Sequence, residues 1–200
     1  MKEITKAWLL EVLKSTFEAP IDVVSLVKDD GQPTGYLSNV YFSSITYGPN
    51  KQTQELFIKA SCDNPELRSY VLDNSLDKLE LTFYRDILPL LTNFEANRTG
   101  EPSQLQNFIP KFFAGSYGED SFLILENLAK RGFKLVDCNK GLELDTAKVM
   151  MERVKIIQSI KLLSRYKHFS WLSFMQFLEF IFKPRENRIQ AGVGGLSIQN

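Results

Sequence analysis

LFIKA, residues 56–60, places a lysine inside a short run that otherwise has the composition of a strand buried on both faces. An unpaired ammonium group loses its hydration in such a strand, which costs several kcal/mol. One explanation is that Lys59 lies on the solvated face of an edge strand, where lysine blocks aggregation. The other is that the ammonium group pairs with a carboxylate and binds a phosphate.

Strand-like segments on both sides of LFIKA predict an antiparallel sheet. The first three follow one another with short connections, which favours a meander, and two more come after a helix: VVSLV (23–27), YLSNVYFSSITYG (36–48), QELFIKAS (54–61), FIPKFFAGSYG (108–118) and SFLILENL (121–128). The order of elements is therefore strand, strand, strand, helix, strand, strand.

Two helices are predicted around this sheet. Thr5 is positioned to cap the first, whose apolar residues recur at helical spacing: Trp8, Leu9, Val12 and Leu13. The second begins at Asn74 or Ser75 and ends before Pro89, with one apolar stripe formed by Leu76, Leu79, Phe83 and Ile87. Residues 94–107 are predicted to form a loop from their composition.

Glu80 borders the stripe of the second helix, so this carboxylate also needs a partner. Solvation at the stripe edge, with pairing to Lys78 or Arg85, is one possibility. An inward lysine on a strand and an inward glutamate on the following helix are, in this order of elements, typical of a kinase small lobe. The predicted fold class is α+β: a protein-kinase-like small lobe with a sheet of about five antiparallel strands plus a helix, followed by a truncated helical segment.

The chain resembles the ecdysteroid kinase-like family of arthropods, also described as CHK kinase-like, in eight motifs: YLSNVYFSSITYG, LFIKA, NPELRSYVLDN, LELTFYRDILPLL, IPKFFAGSYGED, LILENL, GFKLVD and NKGLELDTAK. The family is similar to choline and aminoglycoside kinases, and the resemblance covers residues 1–152. It implies ATP-dependent phosphate transfer to an alcohol group, such as that of an ecdysteroid, with ATP and Mg²⁺ as cofactors.

The resemblance also implies which residues bind the nucleotide. Lys59 is the phosphate-binding lysine and Glu80 is its helix partner. Glu126 and Leu128 bound the hinge, whose backbone is expected to form hydrogen bonds with adenine.

The strand edge at 36–40 is expected to lie over the phosphates. The sequence lacks the G-x-G-x-x-G loop of protein kinases. Ser38 and Asn39 are therefore only weak substitutes for a backbone phosphate cradle.

Catalytic and metal-binding residues are not identified in this sequence. The family supplies them from a large helical lobe, through a His-Gly-Asp loop and later Asn and Asp residues, but no aspartate follows Asp145 here. The single histidine, His168, is followed by Phe169 and Ser170. The large lobe is therefore expected to be missing or replaced.

Three regions are predicted: a small lobe with its hinge (1–128), a connector with a partial helical lobe (129–182), and a disordered tail (183–200). Residues 170–182 are apolar nearly all round but shorter than the roughly 20 residues of a membrane helix. We expect no membrane span, but a partly covered helix that favours self-association or a protein partner.

The charge balance and cysteine content exclude some classes of function. The 24 basic and 24 acidic residues cancel without a basic block, which makes nucleic acid a poor partner. The charged N-terminus does not resemble a secretory signal, and only two cysteines are present, so a reducing cytoplasmic location is expected.

Two function classes stay open at this point. The chain is either a small-molecule kinase in an incomplete or alternatively ended form, or a noncatalytic module that binds nucleotide or a partner. A third possibility is a gene-model artefact with an intron-derived tail.

Overall fold

A computed structural model describes residues 3–17, 19–29, 37–133, 144–145, 147–149, 151–152 and 154 of the chain. The chain divides into two compact units, residues 1–133 and residues 134–200. The predictions for residues 170–182 and for the tail at 183–200 lie outside the described residues.

A sheet forms the centre of the first unit. Its strands within the described residues are β1 (Ile21–Lys28), β2 (Ser38–Tyr47), β3 (Gln52–Ser61), β4 (Phe112–Ser116) and β5 (Phe122–Glu126). They lie in the order β1-β2-β3-β5-β4, and every neighbouring pair is antiparallel. The predicted α+β fold, with a five-stranded antiparallel sheet and helices, is confirmed.

The stretch LFIKA lies in the central strand of this sheet. β3 pairs with β2 on one side and with β5 on the other, so Lys59 is not on an edge strand. Leu56 and Ile58 are fully buried on one face, while Phe57 and Lys59, on the other face, are half-buried. The alternation shows that the two faces are covered to different extents, and the lysine lies on the less covered one.

Helix α1 (Lys6–Leu13) covers the fully buried face. The Thr5 hydroxyl oxygen accepts a hydrogen bond from the Trp8 N–H at 3.1 Å, as its position in the sequence predicts. Leu9 and Leu13 have no exposed surface and pack into a cluster with residues of β1, β2, β3, β4 and β5. Each contributes roughly 2 kcal/mol through burial of its side chain.

The second predicted helix is longer and less regular than expected. It consists of α3 (Leu76–Thr82), a π-helical turn (Phe83–Ile87) and α4 (Leu88–Thr99). The prediction that the helix ends before Pro89 is wrong. In the π-turn the Leu88 N–H donates to the Phe83 carbonyl, five residues back, and this wider turn accommodates a proline ring that would clash in a regular helix.

The helix buries a different set of residues from the predicted stripe. Of the predicted apolar stripe only Phe83 is buried, while Leu76, Leu79 and Ile87 are half-buried. Leu81, which the stripe did not include, packs against the sheet with 1% of its surface exposed.

The predicted loop at 94–107 is partly helical. Residues 94–99 belong to α4, which ends at Gly100, where φ is +73°. Glycine adopts this left-handed conformation without a steric penalty, so the glycine rather than the preceding polar residues ends the helix. A 3₁₀ turn (Gln104–Asn107) follows, and Ser103 caps it.

Helix α2 (Pro65–Asp73) was not predicted. Asn64 caps it by accepting hydrogen bonds from the N–H groups of Glu66 and Leu67. An asparagine cap followed by proline at the first helical position is a recognisable start signal. None of its residues is buried, which explains why an apolar pattern does not reveal this helix.

The described residues of the second unit are helical: 144–145, 147–149, 151–152 and 154. Asp145, whose residue type often caps helices, lies inside this helix, because Leu144 is already helical. The Asp145 carboxylate instead accepts a hydrogen bond from the Lys148 ammonium group at 3.1 Å. In the described part of the chain, no helix is both long enough and apolar enough to cross a membrane.

Candidate nucleotide-binding site

Lys59 and Glu80 form an ion pair between β3 and α3. The Lys59 ammonium nitrogen lies 2.7 Å from Glu80 Oε1 and 2.6 Å from Oε2. The Lys59 side chain is 25% exposed and the Glu80 side chain is 22% exposed. The predicted contact is therefore present, and the alternative partners proposed for Glu80 are not used: Arg85 pairs with Asp86.

The sheet positions Lys59 through its neighbours on both sides. Val40 of β2 and Leu123 of β5 lie directly opposite Lys59, and each has 5% of its surface exposed. Apolar side chains on both flanks limit the directions that the lysine stem can take. The ammonium group is therefore directed towards the helix, where Glu80 meets it.

One hydrogen-bond donor of the Lys59 ammonium group is left for a ligand. The group has three donors, and both recorded hydrogen bonds go to Glu80. No third acceptor contacts Lys59 among the described residues. A positively charged donor that is held in place but still reaches solvent suits a phosphate oxygen.

Tyr84 lies one turn after Glu80 on the same side of the helix. It packs against Leu81, Leu123 and Leu125. Burial, and secondarily the negative charge of Glu80, raise the pKa of the Tyr84 hydroxyl above its ordinary range. Tyr84 is not among the site residues predicted from the sequence, although its i+4 spacing from Glu80 predicts that the two share a face.

The predicted hinge begins at Glu126, the last residue of β5. The Glu126 N–H donates to the Lys111 carbonyl at 2.8 Å. In a regular ladder the Lys111 N–H would return a bond to the Glu126 carbonyl, but it donates to the Glu126 carboxylate at 3.2 Å. The ladder bond that would occupy the Glu126 carbonyl is therefore not formed.

Leu128 begins a 3₁₀ turn (Leu128–Arg131) that ends at Gly132, where φ is +85°. The Leu128 carbonyl accepts from the Phe133 N–H at 3.3 Å. Asn127 caps the turn, and its own N–H donates to the Glu55 carbonyl at 3.0 Å. The bond between Asn127 and Glu55 connects the hinge to β3, the strand that carries Lys59.

Ser38 and Asn39 lie at the start of β2, paired with Ser61 and Ala60 of β3. The Asn39 amide group donates to the Ser61 carbonyl at 3.1 Å. Asn39 precedes Val40, the direct neighbour of Lys59, and successive strand residues point to opposite faces. The structure therefore does not bring the Asn39 side chain together with Lys59, and a phosphate-binding role for the pair stays a prediction.

The described residues do not match the requirements of a Mg²⁺ site. They contain no group of three or more histidine, cysteine, aspartate or glutamate side chains that could hold a metal ion. Mg²⁺ needs carboxylate oxygens, waters and substrate phosphates around it. We therefore assign its binding to no residue in this part of the chain.

The chain is similar to a known protein family. The family model described as the ecdysteroid kinase-like family matches residues 32–158, more than half of the 200-residue chain. This range contains Lys59, Glu80 and the predicted hinge. No curated protein and no solved structure matches the chain.

Proposed function

Since the chain belongs to the ecdysteroid kinase-like family, we propose that its first unit binds ATP as the nucleotide-binding lobe of a kinase-like phosphotransferase. Lys59 contacts the phosphates in this proposal, and Glu80 holds the lysine in position. Kinases use a strand lysine and a helix glutamate in this way.

The ion pair between Lys59 and Glu80 is the observation that carries the proposal. Two charges between a sheet and a helix are costly to desolvate, and a hydrophobic pair of similar volume would be as stable or more stable. Stability alone therefore does not explain why these residues are present. Binding of a phosphate does, because it needs a cation that is already oriented before the ligand arrives.

The hinge is proposed to bind adenine through its backbone. Leu123, opposite Lys59, and Glu126 are both on β5, and three residues of strand span about 10 Å. An extended nucleotide covers this length, with the base at the hinge and the phosphates at Lys59. The Glu126 carbonyl is the proposed acceptor and the Leu128 N–H the proposed donor.

The acceptor of the phosphate is proposed to be an alcohol group, of the ecdysteroid type that the family description names. Mg²⁺, when bound, neutralises charge on the phosphates. The chain's own contribution is to orient the phosphates through Lys59. We also propose a cytoplasmic location, which the content of only two cysteines favours.

The first experiment is a titration of the purified chain with ATP by isothermal calorimetry. Lys59→Met is expected to weaken binding at least tenfold, since it removes a charge-assisted hydrogen bond worth roughly 1.5–3 kcal/mol. The matched control is Lys51→Met in the exposed turn between β2 and β3, which should bind ATP like the unmodified chain. Equal affinities for all three proteins would refute the role of Lys59.

A second prediction is that the 200-residue chain does not transfer phosphate by itself. Transfer needs carboxylates beside the reacting groups. The acidic residues after Asp145 are only Glu152, Glu179 and Glu186, and their spacing does not place a base beside a metal ligand.

The assay uses ATP and Mg²⁺ with ecdysteroids, choline and simple alcohols, and Lys59→Met as the control. We expect no product unless a second chain donates the carboxylates. Turnover that Lys59→Met abolishes would contradict this prediction and direct attention to Asp137 and Asp145.

A further inference from the structure

The N-terminal turn of α3 is attached to the turn between β4 and β5. The Asp77 carboxylate oxygen Oδ2 accepts a hydrogen bond from the Gly118 N–H at 2.7 Å. The Lys78 ammonium group lies 5.6 Å from the centre of the Tyr117 ring. Gly118 has φ of +103°, a conformation that side chains rarely allow, so a glycine is needed where the N–H meets the carboxylate.

One helical turn further, α3 lies directly against the sheet. A Cβ atom on Gly115 of β4 would be 2.7 Å from Leu81 Cδ1 and 3.2 Å from Leu123 Cδ1. The 2.7 Å contact is shorter than real Cβ contacts and the 3.2 Å contact is tight, so a side chain at 115 would require Leu81 to shift. Asp77, Glu80 and Leu81 follow the i, i+3, i+4 spacing and share this face.

Helix α3 is anchored differently at its two ends. Its C-terminal end continues through the π-turn into α4, whereas its N-terminal end begins after Ser75, which has a left-handed conformation with φ of +52°. Contacts with the rest of the fold must therefore set the position of the N-terminal end. The contacts at its N-terminal end come from Asp77 and Lys78.

We propose that Asp77 is a positioning residue: by bonding Gly118 it holds α3 at the distance from the sheet where Glu80 reaches Lys59. Its effect on nucleotide binding rests on the proposed function, whereas its effect on the Lys59–Glu80 contact does not. Without the Asp77 bond, the Lys78–Tyr117 contact is what remains between the N-terminal turn of α3 and the turn between β4 and β5, and Leu81 remains against the sheet. The helix then moves at its N-terminal end and the ion pair opens.

The variants that test this are Asp77→Ala and Asp77→Asn. Asparagine still offers a side-chain oxygen to the Gly118 N–H, so it should restore what alanine loses. Asp73→Ala is the matched control, because Asp73 is exposed at the end of α2 and its replacement by alanine removes the same charge. If Asp77→Ala does not fold, Asp77→Ser takes its place, since serine is too short to reach Gly118.

The first measurement is the ATP dissociation constant, with and without Glu80→Gln. In the unmodified background Asp77→Ala should raise it roughly fivefold, and in the Glu80→Gln background by less than about twofold. Such non-additivity shows that Asp77 acts through Glu80. An equal increase in both backgrounds would indicate only general destabilisation and would overturn the proposal.

The second measurement needs no nucleotide. The nuclear Overhauser cross-peak between the Lys59 Hε and Glu80 Hγ protons should disappear in Asp77→Ala and remain in Asp77→Asn and Asp73→Ala. A cross-peak that persists in Asp77→Ala overturns the proposal. If the unmodified chain binds no ATP, the proposed function fails, and this cross-peak alone decides the positioning role.

Discussion

Lys59 and Glu80 show how a partly exposed ion pair can be costly to break. Each side chain keeps about a quarter of its surface exposed, 25% and 22%, so solvent screens part of the attraction. Removal of one partner leaves the other charge between sheet and helix, which costs on the order of 1–3 kcal/mol for such a group. Each of the two residues therefore depends on the presence of the other.

Tyr84 gives a prediction on pH at the same scale. Burial and the Glu80 charge raise the pKa of its hydroxyl in the folded chain, whereas in the unfolded chain the pKa is about 10. The unfolded state then loses this proton first as pH rises, so the stabilisation is complete below about pH 10 and decreases above it.

The chain should lose stability in alkaline solution in part because the Tyr84 hydroxyl ionises. Tyr84→Phe should abolish that contribution. The measurement is urea unfolding at a series of pH values from about 8 to 11, with Tyr117→Phe as the control, since Tyr117 is 55% exposed. The same alkaline loss in Tyr84→Phe and in the unmodified chain would show that the hydroxyl is not protected from ionisation.

At the scale of elements, the contact between α3 and the sheet depends on a missing side chain. Gly115→Ala should destabilise the chain by about 1–3 kcal/mol, because the new methyl group overlaps Leu81, which is buried. It should also weaken ATP binding, since the helix that carries Glu80 is pushed away from Lys59.

Gly115→Ala combined with Leu81→Ala provides the control for this prediction. Chemical denaturation should show that the double variant is less destabilised than the sum of the single variants, because the smaller residue at 81 relieves the overlap. Additive effects would mean that the two positions do not meet.

Helices α3 and α4 form one continuous path through the π-turn. Pro89 in the first turn of α4 shows that proline does not end a helix where a π-turn comes just before it. π-turns are frequent at functional sites, and this one follows within one turn of Glu80.

At the scale of the whole molecule, the first unit contains the five-stranded sheet and both hydrophobic clusters found among the described residues. Residues 1–133 expressed alone should therefore unfold in a single cooperative transition. They should also bind ATP as tightly as the full chain, because Lys59, Glu80 and the hinge are all included.

Circular dichroism during urea denaturation, together with calorimetric ATP titration, measures both properties. The full chain is the reference, and a fragment ending at 107, without β4 and β5, is the negative control. A fragment 1–133 that shows no cooperative transition would mean that residues after 133 are required for folding.

The sequence by itself determined the order of the strands and the main contact of the site. Strand-like segments between turns predicted the strands, and Thr5 predicted the start of α1, because these signals are local. A charged residue in an apolar context predicted the Lys59–Glu80 contact, since each charge needed a partner.

Only the tertiary structure decided how α3 is held. Asp77 and Gly118 are 41 residues apart, and nothing local in either segment indicates that they meet. The helix likewise continues through Pro89 because a π-turn precedes the proline and accommodates its ring. Contacts between distant segments are set by the shape of the folded chain, because the energy of packing exceeds that of local propensity.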